Sequence, residues 1–155
     1  MADAAVRRNE LVLDLGAGTG AVTAALVAAG AQVLAVELHP GRAAVLRRRF
    51  ADRPVTVLQT DLRGLRLPAR PFRVVANPPY STSTALLRLL LGRQSPMTAA
   101  DLVLQRGLVH GLLVGDVRTV RPSRRFVLSR GRSLPPHAFR PPPRVESAVL
   151  VVRRR

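Results

Sequence analysis

The chain has 155 residues, is 47% hydrophobic and carries a net charge of +16, with Arg as its only long basic side chain. That length suits one domain with its own core, the apolar content excludes a disordered chain, and the charge points to a polyanionic partner, nucleic acid first. Cys is absent, which removes disulfides, zinc-thiolate sites and thiol nucleophiles, and no apolar run reaches membrane-span length. Residues 1–10 lack a signal-peptide core, so a soluble, cytoplasmic protein is expected, with no membrane partner. The Arg-only usage reflects a compositional bias toward Arg and Ala, yet guanidinium groups also fork onto phosphates and stack on bases.

The first predicted element is a buried strand, Leu11–Leu15, running into Gly16-Ala17-Gly18-Thr19-Gly20 and an apolar helix over 21–29. Glycines at such a turn let a ligand approach the backbone, and the helix start offers free N–H groups. Gly30 ends the helix, and the second strand, Gln32–Val36, terminates in Glu37, about 20 residues beyond Gly16, where an acidic group can hold a ribose diol. A dinucleotide-binding fold predicts the same features, because Gly16, Gly18 and Ala21 satisfy G-x-G-x-x-A. Asp14 separates the two readings when taken with Asp61 and Asn77 at later strand ends. A carboxylate beside the loop repels a pyrophosphate and attracts a sulfonium or ammonium. Asp14 to Gly20 resembles the first motif of class I methyltransferases, which implies S-adenosyl-L-methionine as cofactor in preference to NAD.

A second helix begins at His39-Pro40-Gly41, directly after Leu38, and its Arg47 to Arg49 run reads as a solvated face. Strand three is Val55–Leu58, followed by Asp61 and Leu62; Asp61 is placed to accept from a cofactor adenine N6 and Leu62 to wall the ring, with an ordinary N-cap as the plainer role of Asp61. Strand four, Phe72–Ala76, feeds Asn77-Pro78-Pro79-Tyr80. Successive prolines make this a rigid corner and remove two backbone donors. The Asn77 amide and the Pro78 carbonyl can accept hydrogen bonds, and Tyr80 adds a flat face, a set suited to a planar ring bearing an exocyclic amino group. Ser81 to Thr84 offer N-cap oxygens to a helix over 85–91. The corner resembles the Asn/Asp-Pro-Pro-Tyr signature of amino-methyltransferases that use S-adenosylmethionine, which implies catalytic roles for Asn77, Pro78 and Tyr80.

Strand five is expected over 101–105, then a short or weak helix over 106–115 because Gly107, Gly111 and Gly115 interrupt it. A basic loop follows over 118–125, then a strand over 126–129, a proline-stiffened loop and a last strand over 148–152. His39, His110 and His137 lack metal-ligand spacing and read as surface or structural residues, and no metal is expected. The loop contains Pro135-Pro136-His137-Ala138-Phe139-Arg140-Pro141-Pro142-Pro143-Arg144-Val145-Glu146-Ser147-Ala148. It closely resembles the late motif of the rRNA adenine N6-dimethyltransferases, which comprise the small-subunit dimethyladenosine transferases and the Erm-type macrolide-resistance enzymes.

Membership of that family would imply an α/β, class I (Rossmann-like) fold with a mostly parallel sheet and an antiparallel last strand. It implies cofactor contacts from Asp14, Gly16, Ala17, Gly18, Glu37, Leu38, Asp61, Leu62 and Asn77, and a flipped target adenine stacked by Tyr80 and Phe139. The expected partner is rRNA, protein-free or precursor, acted on by a monomer. Leu102 to Arg106 and the Arg-only composition resemble the Erm branch, which implies 23S rRNA and macrolide-lincosamide-streptogramin resistance. The small-subunit branch, a DNA amino-methyltransferase and a catalytically inactive RNA-binding core are the alternatives. Family members also have an N-terminal cofactor-closing segment and a helical C-terminal domain. The expectation for residues 1–155 is a single catalytic domain without either.

Overall fold

The computed structural model describes residues 5–155. Residues 1–4, which open the expected 1–155 domain and the expected signal-free start, lie outside the described residues. Among the described residues seven strands form one sheet in the order β3-β2-β1-β4-β5-β7-β6. They are β1 Leu11–Leu15, β2 Gln32–Val36, β3 Val55–Leu58, β4 Phe72–Ala76, β5 Met97–Gln105, β6 Phe126–Leu134 and β7 Ser147–Arg154. Strands β1 to β5 pair in parallel, while β7 is antiparallel to both β5 and β6. The antiparallel last strand is therefore inserted between β5 and β6.

Four α-helices among the described residues cover the two faces: α1 Ala21–Ala28, α2 Pro40–Arg49, α3 Ser83–Leu90 and α4 Arg106–Val114. Side chains alternate across a strand, and here both faces are apolar. Val12, Val33, Ala35 and Val75 meet Leu26, Leu46 and Phe50 of the α1/α2 layer. Leu13, Leu15, Val74 and Ala76 belong to the opposite core with Leu86, Leu87 and Leu90 of α3 and Val109 and Leu112 of α4.

Local chemistry sets the helix ends. His39 caps α2, its Nδ1 accepting from Gly41 N and Arg42 N at 3.1 and 3.4 Å, with Pro40 at the first position and three arginines in the last turn, where the helix dipole favours them. Helix α4 ends at Gly115 in left-handed geometry, φ 76°, and Asp116 N returns to Gly111 O at 2.8 Å.

Several boundaries differ from the sequence expectation. Strand β5 begins four residues early, where Met97 pairs with Phe72 of β4 and Ala99 and Ala100 lie between β4 and β7, and β6 runs five residues further along the long β7; local pattern shows none of these ladder partners. Helix α4 forms over nine residues despite Gly107 and Gly111, since burial of Val109 and Leu112 outweighs a propensity cost of about 1 kcal/mol per glycine. Helix α3 starts at Ser83 and has no side-chain cap; Thr82 Oγ1 donates instead to Pro79 O at 2.9 Å.

Candidate active site

The carboxyl ends of β1, β2 and β4, and the turn after β3, meet at one cavity of about 450 Å³, a size in the range of small-ligand sites. Gly16, leaving β1, is left-handed at φ 80°. Its N–H and that of Ala17 both donate to Val36 O at 2.9 Å, which fastens the loop to β2. A Cβ on Gly16 would stand 3.0 Å from Pro79 Cδ and 3.4 Å from Pro78 Cα. The glycine loop and the proline corner, distant in sequence, thus touch where only a glycine leaves room.

Glu37 is 4% exposed at the end of β2. Its Oε2 accepts from Gly18 N at 2.8 Å, and its Oε1 accepts from His39 N at 2.9 Å and Arg42 Nε at 3.2 Å. A carboxylate has about four acceptor positions, so this one is held rigidly and still has capacity for a ligand hydroxyl. Leu38, 59% exposed, lies beside it on the cavity rim. Asp61 caps the 3-10 turn Leu62–Gly64 through Arg63 N at 2.9 Å and lines the same cavity. Both roles read from sequence are therefore compatible. Leu62 is buried against the core and forms part of the wall.

At the corner Asn77 is exposed, Pro78 buried and Tyr80 half-buried, and all three line the cavity. The Pro79 carbonyl is occupied by Thr82 N at 3.1 Å as well as by the Thr82 hydroxyl. The Tyr80 hydroxyl is hydrogen-bonded to Ser147 Oγ, at the buried first residue of β7. That bond fixes the ring by its tip, leaving its face as the variable surface. Phe139, from the loop before β7, stands on the cavity wall with Pro141 and Pro143.

A family model described as "Ribosomal RNA adenine dimethylase" matches residues 1–155. The chain belongs to this family. It is 39% identical over 148 residues to the mycinamicin-resistance protein MyrB of Micromonospora griseorubida, covering 93% of this chain and 47% of that one. It is 36% identical over 153 residues to ribosomal RNA small subunit methyltransferase A of Synechococcus sp. (strain JA-2-3B'a(2-13)), covering 90% and 53%. The crystal structure of the 23S rRNA methyltransferase ErmE superposes with a TM-score of 0.82 at 28% identity, covering 97% of this chain and 63% of that one. The chain spans about half the length of the curated relatives it matches. Its family and its fold are those of S-adenosylmethionine-dependent methyltransferases.

For this rRNA adenine dimethylase relative, the donor set fits that cofactor. In a chain of net charge +16 with nine carboxylates, three, Asp14, Glu37 and Asp61, gather at or behind one cavity, which favours a cationic ligand with hydroxyls over a polyphosphate. Asp14 is set apart from the other two. It lies behind the loop rather than on the wall, 1% exposed, with Oδ2 accepting from Thr23 Oγ1 at 2.7 Å and Oδ1 without a partner among the described residues. Burial pushes its carboxyl from 3.8 up to about 6, opposed by the Thr23 bonds and reinforced by the neighbouring Glu37 charge. Its influence on a ligand is electrostatic. Ala17, buried with its N–H on Val36 O, likewise acts through the backbone.

The remaining candidates, Gly16, Gly18, Glu37, Leu38, Asp61, Leu62, Asn77, Pro78, Tyr80 and Phe139, share the cavity. Sequence reasoning missed Arg42 and Thr82 on the wall, Thr23 beneath it and Ser147 behind Tyr80. Thr23 had a legible signal, a polar residue in an otherwise apolar helix; Ser147 stood within a motif but had no visible partner.

Proposed function

We propose that this chain is a catalytic core that transfers methyl groups from S-adenosylmethionine to N6 of an adenine in rRNA, with 23S rRNA as substrate. The observation that carries the reading is the contact of Gly16 with Pro78 and Pro79, which makes the glycine loop and the Asn77–Tyr80 corner walls of a single cavity. In this reading residues 1–155 act as one catalytic domain, as a monomer, in the cytoplasm.

When bound, S-adenosylmethionine supplies an electrophilic methyl on a sulfonium that leaves as a neutral thioether. Gly16, Ala17 and Gly18 admit its methionine part, Glu37 takes the ribose hydroxyls, and Asp61 with Leu62 holds the cofactor adenine. The Asn77 amide oxygen and Pro78 carbonyl accept from the target amino group. This localises the nitrogen lone pair otherwise delocalised into the ring, and the proton displaced from N6 passes to water. Tyr80 and Phe139 stack the target base. No strong general base is needed, so the rate enhancement comes from positioning and electrostatics.

The assignment to 23S rRNA is supported by the likeness to MyrB and ErmE. The small-subunit reading is supported by the likeness to ribosomal RNA small subunit methyltransferase A. Protein-free 23S rRNA and precursor 16S rRNA, each incubated with methyl-labelled cofactor and digested, separate the two. Label in N6-methylated adenine from 23S is the expected result. Label confined to 16S moves the assignment to the small subunit, and RNA binding that ignores the cofactor points to an inactive RNA-binding core.

A further inference from the structure

A second cavity, about 640 Å³, opens beside the first and is lined by residues that the methyl-transfer chemistry does not use. Gln105 and Arg106 join β5 to α4 at its mouth, Gly107 and His110 follow on the helix, Arg130 comes from β6, and Val145 and Glu146 precede β7. Register places it next to the target-base position. Gln105 pairs with Ser147 across β5 and β7, and Ser147 holds the Tyr80 hydroxyl. The run from Pro143 to Ser147 is the partition, with Pro143 on the first cavity and Val145 and Glu146 on the second. Paired residues on neighbouring antiparallel strands sit about 5 Å apart, so Gln105 on the second cavity and Ser147 behind Tyr80 are immediate neighbours.

The lining has the chemistry of a base site. Val145 is 44% exposed and offers an apolar face. Arg106 and Arg130 offer planar guanidinium groups that stack on bases or donate to acceptor edges. Both are anchored, Arg106 by an ion pair with Glu146 and Arg130 by Ser133 Oγ at 2.8 Å. A register shift in β6 between Arg130 and Ser133 marks a bulge, a device that re-aims a side chain. Glu146 opposes entry of a free phosphate, whereas its carboxylate accepts from a base edge rich in N–H donors, such as that of guanine.

We infer that this second cavity binds the base of the nucleotide adjoining the target adenine on the same RNA strand. The inference rests on the proposed RNA methyl transfer and adds a separate recognition site to it. A base held there braces the strand on one side of the flipped adenine and makes methylation depend on the neighbouring base.

Gly107 allows a clean test. A Cβ built on it meets nothing within 4 Å, so Gly107→Leu fills the cavity from its helical wall without disturbing the core, and Gly107→Ala is the control. The probe is the heptaribonucleotide UUGAGUU, with a partner probe abasic at both guanosines, and binding is read by fluorescence anisotropy independently of turnover. Gly107→Leu should weaken binding of the intact probe about tenfold, the scale of one lost base-stacking contact, while leaving the abasic probe and S-adenosylmethionine affinity unchanged. Gly107→Ala should match the parent. Equal weakening of both probes, or no weakening of either, overturns the second site. Failure of the parent to label the intact probe or rRNA would instead strike the methyl-transfer reading, because the anisotropy difference does not require turnover.

Discussion

At the residue scale, the proposed mechanism places its heaviest demand on Asn77. Its side chain is exposed on the cavity wall, a position where truncation is expected to cost little stability. Asn77→Ala should therefore reduce turnover by about a hundred- to a thousandfold, the range seen when a group aimed at the reacting centre is removed, with cofactor affinity by calorimetry lowered far less. Near-full methylation by this variant would rule the mechanism out. Ser147→Ala tests the anchor of Tyr80: the ring stays but its tip is released, so kcat should fall about tenfold through misplacement of the ring, while stability falls by about 1 kcal/mol, the net contribution of one such hydrogen bond.

Asp14 makes a pH prediction whose sign follows from linkage. Its folded pKa, about 6, lies above the ordinary 3.8, so the folded state holds the proton more tightly than the unfolded chain. The stabilising effect is full below pH 3.8 and is lost as pH rises through 6, a change of about 3 kcal/mol. Asp14→Asn keeps a side-chain oxygen for Thr23 and removes the titration. Denaturant melts between pH 4 and 7 should show this component of the slope disappear in the variant. An unchanged slope would mean that Asp14 does not titrate in that window.

At the scale of elements, the glycine loop depends on close approach as much as on turn geometry. Gly20, the residue before α1, is left-handed at φ 102°, and a Cβ there would come within 2.6 Å of Phe50 Cε2 and 2.9 Å of Leu46 Cδ2. Gly20→Ala should destabilise the fold by about 3 kcal/mol, combining backbone strain with overpacking against α2, and urea titration reads this directly. A Gly20→Ala chain as stable as the parent would show that the loop relaxes freely. The legibility of elements divides along the same line. Strand β1, the loop and α1 were readable because Leu11–Leu15 and the glycines are contiguous in sequence. The starts of β5 and α3 and the end of β6 were not, because β5 begins against β4, β6 extends along β7, and α3 continues directly from a 3-10 turn, Tyr80–Thr82, without a side-chain cap.

For the whole molecule, net charge and topology make different predictions. With 25 arginines, RNA affinity should fall steeply with salt, about a thousandfold between 50 and 200 mM if six or more phosphates are contacted, while cofactor affinity moves little. The basic loop 118–125 leads into β6 at the end of the sheet where β5 begins and β7 ends, away from Gln105 and Ser147; its Arg125 guanidinium is bonded to Arg93 O. Replacing Arg118, Arg121 and Arg124 with Ser should leave kcat within roughly twofold and lower RNA affinity without changing sequence preference, as expected for phosphate contacts. A shift in preference would place bases against this loop.

By itself the sequence determined which residue types would sit at the strand ends, because Gly16, Glu37, Asp61 and Asn77 each follow an apolar run whose length and pattern mark a strand. It also determined the likeness to rRNA adenine methyltransferases, since those motifs are short and contiguous. Only the tertiary structure decided that the Gly16 loop touches the Pro78-Pro79 corner, that Asp14 lies behind the cavity with one oxygen unpaired among the described residues, and that Ser147 holds Tyr80. It alone showed the second cavity at Gln105, Arg130 and Glu146. Each of these joins segments far apart in the chain, and such contacts arise from the strand order, in which β7 enters between β5 and β6, a choice made by packing rather than by any local pattern.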